Sequence, residues 1–223
     1  MAVRAGHPDT EASHHYESDE VPLDETLCDV LSEVVTAVAK TGHRALVMGG
    51  IGSAALARPR RTDDIDLFVH IDDADALLTH LGANGFDVER TDPRWLYKAF
   101  RQGVLTDLIF RSVGDIYVDD EMIEHATTGT YKGVPIQTVS PEDLLVIKAL
   151  AASEHRAHHW HDALGIISRS DLDWSYLTER ARRFGPRRVL SLLLYAESTD
   201  LAVPAPVIES LFHSVHPPQR EAI

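Results

Sequence analysis

At 223 residues, 44 % of them hydrophobic and 25 % charged, the chain is long enough to bury a sizeable core as one large domain or two small ones. Its 35 acidic against 21 basic residues give a formal charge of -14, which disfavours a general nucleic-acid grip and leaves only a local basic patch for a polyanion. The single Cys28 excludes an intramolecular disulfide framework and a multi-cysteine zinc site. No leading apolar run resembles a signal peptide and no run reaches the roughly eighteen apolar residues of a membrane span, so the expected location is the cytoplasm.

Residues 1 to 20 are polar and charged, which predicts a disordered N-terminal arm. The run LDETLCDVLSEVVTAVAKTG places Leu27, Leu31, Val34, Val35 and Val38 at helical spacing and closes near Gly42. RALVMGG reads as a short buried strand ending in a turn, and SAALA as a short helix. DIDLFVHI reads as a strand with Ile65, Leu67, Val69 and Ile71 on one face. DADALLTHLGANG predicts a helix closed by glycine, and WLYKAFRQGVLTDLIF two strands joined around Gln102-Gly103. From Ser140 onward the pattern turns helical: Ser140 is a candidate N-cap, Pro141 stands at the first helical position and Asp143 completes a capping-box-like pattern. Further helices are expected over 160–168, 173–184, 186–197 and 205–214. The expected fold class is α+β, a mixed sheet flanked by helices over residues 21–138 followed by a helical C-terminal domain over 139–223.

The span GGIGSAALARPRRTDDIDLFV, residues 49 to 69, concentrates the chemistry. On a strand Asp64 and Asp66 share a face with α-carbons roughly 7 Å apart, a pair suited to hard cations with oxygen ligands. Asp107 stands inside the otherwise apolar VLTDLIF, where an unpaired carboxylate is costly, and so offers a third acid. Gly49 and Gly50 allow the backbone to approach an anion closely, and Ser53 lies near a helix start whose free N–H groups favour phosphate.

These residues resemble the nucleotidyltransferase superfamily related to DNA polymerase beta: a Gly-Gly turn at Gly49-Gly50, the Asp-x-Asp pair Asp64 and Asp66, and a later Asp on a neighbouring strand, Asp107. RRTDDIDLFV is similar to the Arg-x-Thr-x-Asp-Ile-Asp variant of toxin-type and antibiotic-modifying bacterial members, with Arg60 and Thr62 in the matching places. The resemblance is close over residues 44 to 110. It continues more loosely through EDLLVIKALAASEHRAHHWHDALGII, where Lys148 and Asp162 hold the places of a Lys and an Asp beside the triphosphate. The resemblance implies a nucleotidyltransferase binding ATP or another nucleoside triphosphate, with two Mg²⁺ ions, or Mn²⁺ in their place, held by Asp64, Asp66 and Asp107. It implies an acceptor that is either a small molecule such as an aminoglycoside-like compound or the 3′ end of tRNA, and for the toxin-type branch an antitoxin protein as partner.

Other readings compete. His155, His158, His159 and Asp162 fall at the helical spacing of a zinc site, against which stands a plain surface cluster. Arg180, Arg182, Arg183, Arg187 and Arg188 form a basic run suited to phosphate or to a solvated helix end. Gly50-x-Gly52-x-x-Ala55 fits a dinucleotide fingerprint, but SAALARP is short for the crossover helix that fold needs. A non-catalytic nucleotide sensor or antitoxin-like partner on the same fold is the second functional reading.

Overall fold

The computed structural model describes residues 23–57 and 59–217. The arm expected over residues 1 to 20 lies outside them. Helix α1 (Leu23–Thr41) buries Leu27, Val30, Leu31 and Val34, the i, i+3, i+4, i+7 stripe of an amphipathic helix, and ends where Gly42 takes φ +68°. There follow β1 (Ala45–Val47), α2 (Gly49–Leu56), β2 (Asp64–Val69), α3 (Ala74–Ala83), β3 (Asp87–Asp92), β4 (Leu96–Arg101) and β5 (Val104–Ile109). Then come α4 (Asp120–Glu124), β6 (Thr127–Tyr131), β7 (Val134–Thr138) and α5 (Pro141–Ala151). A 3₁₀ turn over Glu154–Arg156 leads into α6 (His158–Arg169), α7 (Trp174–Phe184), α8 (Pro186–Ser198) and α9 (Ala205–Val215).

The strands form one mixed sheet in the order β3-β4-β5-β2-β1-β7-β6, giving the expected α+β class. β1 and β2 run antiparallel although α2 joins them, whereas a dinucleotide-binding βαβ unit requires parallel strands, so the glycine fingerprint belongs to a different fold. Alternation divides the sheet between two apolar clusters. Ile65, Leu67 and Val69 of β2 pack with α1 and α3, while Phe68 of β2 and Leu46 of β1 join the residues buried by α5 to α9. The C-terminal helices therefore close directly over one face of the sheet. Ser140 caps α5 as its sequence suggests, accepting from the Asp143 amide at 3.0 Å.

Three elements carry little sequence signal. β3 lies at the sheet edge and spells DVERTD, with one partly covered residue and no apolar alternation. The hairpin β6–β7 turns at Lys132-Gly133, both at positive φ. Among the described residues no helix is long and apolar enough to cross a membrane.

Candidate active site

The sheet places three charged residues in a row. β2 and β5 are parallel, and their register sets Asp66 beside Asp107; β4 and β5 are antiparallel, and theirs sets Lys98 beside Asp107. Asp64, two residues before Asp66, shares its face. Neighbours hold the outer two carboxylates: Thr62 Oγ1 donates to Asp64 Oδ1 at 2.8 Å and Lys98 Nζ to Asp107 Oδ1 at 2.8 Å. Among the described residues no three His, Cys, Asp or Glu side chains are gathered closely enough to hold a metal ion as they stand.

The start of α2 sits against this row. Gly49 has φ +62°, and a Cβ there would overlap the Asp66 carboxylate; a Cβ on Gly50 would overlap Thr62 Oγ1. Only glycine lets the backbone come so near, and the Gly50 amide donates to Asp66. Burial pushes Asp66 up to about 6, with the charges of Asp64 and Asp107 adding to it and Lys148 and the Gly50 amide opposing. Ser53 is buried and its Oγ donates to Gly49 O at 2.7 Å, so its hydroxyl is engaged within its own helix.

Opposite the carboxylates lies a second charged group. Lys148 Nζ, on α5, meets Asp162 Oδ2 of α6 at 2.8 Å, and Arg60 Nε lies 3.2 Å from Asp162 Oδ1. Lys148 is only 2 % exposed, and burial lowers its pKa against the pull of Asp162. The structure thus unites Arg60, Lys148 and Asp162, residues distant in sequence, and brings Lys148 within electrostatic reach of Asp66.

Asp66 and Lys148 both line a cavity of about 600 Å³ that continues past the end of β5 to Arg94, Trp95, Arg111 and Val113, with Arg156 and His159 on its helical side. Neither Lys98 nor this outer rim carries a motif of its own in the sequence. The partner of Asp107 was countable, because a two-residue turn at Gln102-Gly103 pairs Arg101 with Val104 and, stepping outward, Lys98 with Asp107.

The histidine cluster is broken: α5 ends at Ala151, His155 lies on the separate 3₁₀ turn, and His158 and His159 open α6. Their rings are 4.2 Å apart, and burial, joined by the charge of Lys148, lowers His159 to about 4. The arginine run is dispersed as well. Arg180 is 1 % exposed and binds Asp143, Asp119 and Glu121; Arg182 donates to Ser210 and Ser214, Arg183 to Asp119, and Arg188 to Ala152 O.

A mixed sheet carrying Asp-x-Asp on one strand and a third Asp abreast on the next, under a glycine-started helix, defines the nucleotidyltransferase class. The family described as "Nucleotidyl transferase of unknown function (DUF2204)" matches residues 27–185, and the chain belongs to it. Among solved structures it is similar to the antibiotic-resistance factor ANT(2″)-Ia in solution, at 16 % identity and TM-score 0.50, over 79 % of this chain and 94 % of that one. It is also similar to an antigenic nucleotidyltransferase-like protein from Paracoccidioides brasiliensis, at 18 % identity and TM-score 0.50, over 85 % and 93 % of the respective chains. No curated protein sequence matches it.

Proposed function

We propose that the protein moves a nucleoside monophosphate from a nucleoside triphosphate to an acceptor hydroxyl, releasing pyrophosphate. The observation that carries this reading is the abreast pair Asp66 and Asp107, with Asp64 on the same face, set beneath Gly49-Gly50 and facing Lys148.

The site's chemistry fits a hard dication. Its donors are all oxygens, and burial, joined by the charges of Asp64 and Asp107, raises Asp66, a cost of ionisation that a bound dication would relieve. Asp64, Asp66 and Asp107 would hold two Mg²⁺ ions, with Mn²⁺ as the alternative; once bound, such ions neutralise phosphate charge and acidify an acceptor hydroxyl. Asp107 receives the acceptor proton through Oδ2, since Oδ1 is engaged by Lys98. The acceptor oxygen bonds to the α-phosphorus while the α–β bridging bond breaks and pyrophosphate leaves. The amides opening α2, the helix that Gly49 begins and Ser53 braces, receive the β- and γ-phosphates, while the Gly50 amide stays on Asp66. Lys148 and Arg60 neutralise them, handed over from Asp162, and Thr62 steadies Asp64. Positioning and charge neutralisation supply most of the rate, as phosphoryl chemistry requires little covalent help.

A small hydroxylated molecule is the favoured acceptor over the 3′ end of tRNA. A tRNA grip needs clustered free cations, and in the arginine-rich run Arg180 is buried on internal acids while Arg182 and Arg188 donate to Ser210 and Ala152 O, which thins the patch to Arg183 and Arg187. ANT(2″)-Ia, of similar fold, is an antibiotic-resistance factor, which accords with a small acceptor.

The test is incubation with each labelled nucleoside triphosphate and Mg²⁺, followed by pyrophosphate measurement and mass analysis of RNA and small-molecule fractions. A nucleoside-monophosphate mass shift that disappears in Asp66→Ala is expected. Failure of the folded protein to bind any triphosphate would overturn the reading.

A further inference from the structure

We propose that the acceptor is a ring-bearing hydroxyl compound carrying an anionic group, held at the Arg94, Trp95 and Arg111 end of the cavity. This rests on the nucleotidyl-transfer reading above. In-line displacement requires the acceptor to enter on the side of the α-phosphate away from the departing pyrophosphate. The pyrophosphate end is fixed by Gly49-Gly50, Lys148 and Arg60. The acceptor end is therefore the opposite one, past the end of β5, the strand that carries Asp107, where the chain leaves Ile109 for Arg111.

That end has an apolar platform. Trp95 is 42 % exposed and Val113 40 %, and both line the cavity. The indole is not loose: its Nε1 donates to Asp92 Oδ2 at 3.2 Å, which leaves its ring as a fixed surface for a planar or sugar ring.

The charges there select against a cation. Each rim carboxylate is already satisfied by a guanidinium: Arg94 Nε and Nη2 bind Asp92 at 3.0 and 2.7 Å, and Arg111 binds Asp115. The bidentate Arg94 guanidinium holds Asp92 well below the usual carboxylate range. Arg156 lines the same cavity, is exposed, and makes no side-chain hydrogen bond or ion pair among the described residues. The cavity wall carries Arg94, Arg111, Lys148 and Arg156 against Asp66 and Asp115, with Asp92 paired to Arg94 beside it, a local positive excess on a chain whose formal charge is -14. A polycationic aminosugar finds no free carboxylate at this rim, whereas a carboxylate or phosphate on the acceptor finds Arg156 unpartnered and two further guanidinia with donors to share.

Three probes of one shape decide it: 4-(hydroxymethyl)benzoate, its amide, and 4-(hydroxymethyl)benzylamine. Their binding to the full-length protein is measured by ligand-observed saturation-transfer NMR with Mg²⁺ and a non-reacting α,β-methylene triphosphate. The expected order of affinity is carboxylate, then amide, then amine, with at least a tenfold span. Arg156→Glu should shrink the carboxylate-to-amine ratio about tenfold. Equal or tighter binding of the amine, an unchanged ratio in Arg156→Glu, or no binding by any probe overturns the inference. The triphosphate analogue's own affinity, read in the same samples, separates these results from failure of the nucleotidyl-transfer reading, which predicts that it binds in every case.

Discussion

Lys98 Nζ and Asp107 Oδ1 are 2.8 Å apart at paired positions of β4 and β5, so the third carboxylate of the row carries its own counter-cation on the neighbouring strand. Lys98 fixes the Asp107 rotamer and also opposes any dication that shares the carboxylate. Lysine–dication repulsion at such separations is about 1–3 kcal/mol, against about 1 kcal/mol for ordering a side chain, so charge outweighs orientation in metal binding. Lys98→Met is therefore expected to bind Mn²⁺ several-fold more tightly, read by electron paramagnetic resonance, while kcat falls at least tenfold because Asp107 loses its fixed geometry. Lys98→Arg should recover part of kcat. Unchanged metal affinity and turnover in Lys98→Met would reduce the lysine to packing.

Asp66 gives a stability prediction whose sign follows from its raised pKa. Burial, with Asp64 and Asp107, lifts it to about 6, above the unfolded value near 3.8, so the folded state prefers the protonated form. The ionised form costs the metal-free fold stability fully above about pH 6, and that cost vanishes as pH falls through about 6 toward 4. Asp66→Asn should therefore raise the stability of the metal-free protein by about 1–3 kcal/mol at pH 7.5 while abolishing transfer. Comparing the variant with wild type cancels the opposite trend from His159, which burial holds near 4. Thermal unfolding in EDTA checks it: the gap should narrow from pH 7.5 to 5, and a gap that widens contradicts the assignment.

Gly49 meets Asp66 so closely that a methyl group has no room, and its φ of +62° adds strain for any other residue. Gly49→Ala should lower stability by about 2–4 kcal/mol and turnover at least a hundredfold by displacing the carboxylate. Gly103→Ala is the control, since it has φ +78° but open space around it. Its loss should stay near the roughly 1–2 kcal/mol of backbone strain alone, with turnover retained.

How far the sequence reaches depends on which contacts are local. The carboxylates, the glycine pair and the capped helix at Ser140 are short-range patterns, although Gly49 and Gly50 open helix α2 instead of forming a turn before it, and α1 and α5 through α9 show apolar periodicity of their own. β3 could not be read because an edge strand of polar residues buries almost nothing, leaving no alternation to detect. The pairing of Lys98 with Asp107 was accessible by counting from the hairpin. The parallel register that sets Asp66 beside Asp107 was not, because no turn joins β2 to β5 directly. Arg180 reads as one more member of a basic run, yet α7 turns it inward onto acids from α4 and α5, a contact that exists only once those helices pack.

That buried arginine yields the fourth expectation. Arg180 Nε meets Asp143 Oδ1 at 2.7 Å, its Nη1 meets Asp119 Oδ2 at 2.8 Å, and Tyr176 Oη donates to Asp143 Oδ2 at 2.8 Å. Removing the cation leaves Asp143, 2 % exposed, as a buried charge, so Arg180→Met should cost about 3–5 kcal/mol in denaturant unfolding. Arg180→Met combined with Asp143→Asn should recover a substantial part, since the orphaned charge is gone. If the single variant proves neutral, the network adds nothing to the fold.

Lys148, Asp162 and Arg60 form a group in which one carboxylate holds two cations, the two that the proposed mechanism turns toward the triphosphate. Lys148 and Asp162 have side chains only 3 % and 8 % exposed, so neither charge is stable there alone. Three variants separate holding from binding. Lys148→Ala deletes the proposed charged partner of the triphosphate, and charge-assisted bonds contribute about 1.5–3 kcal/mol, so calorimetry with Mg²⁺ and triphosphate should show at least a tenfold loss of affinity. Asp162→Asn leaves Lys148 without its counter-charge and should lower stability by about 1–3 kcal/mol. The triphosphate then no longer competes with a carboxylate for Lys148 and Arg60, so its affinity should hold or rise. The double variant removes both members of the pair and should recover stability toward wild type while keeping the affinity loss of Lys148→Ala. A tenfold affinity loss in Asp162→Asn with Lys148→Ala unaffected would reverse the roles, placing the carboxylate and not the lysine against the nucleotide.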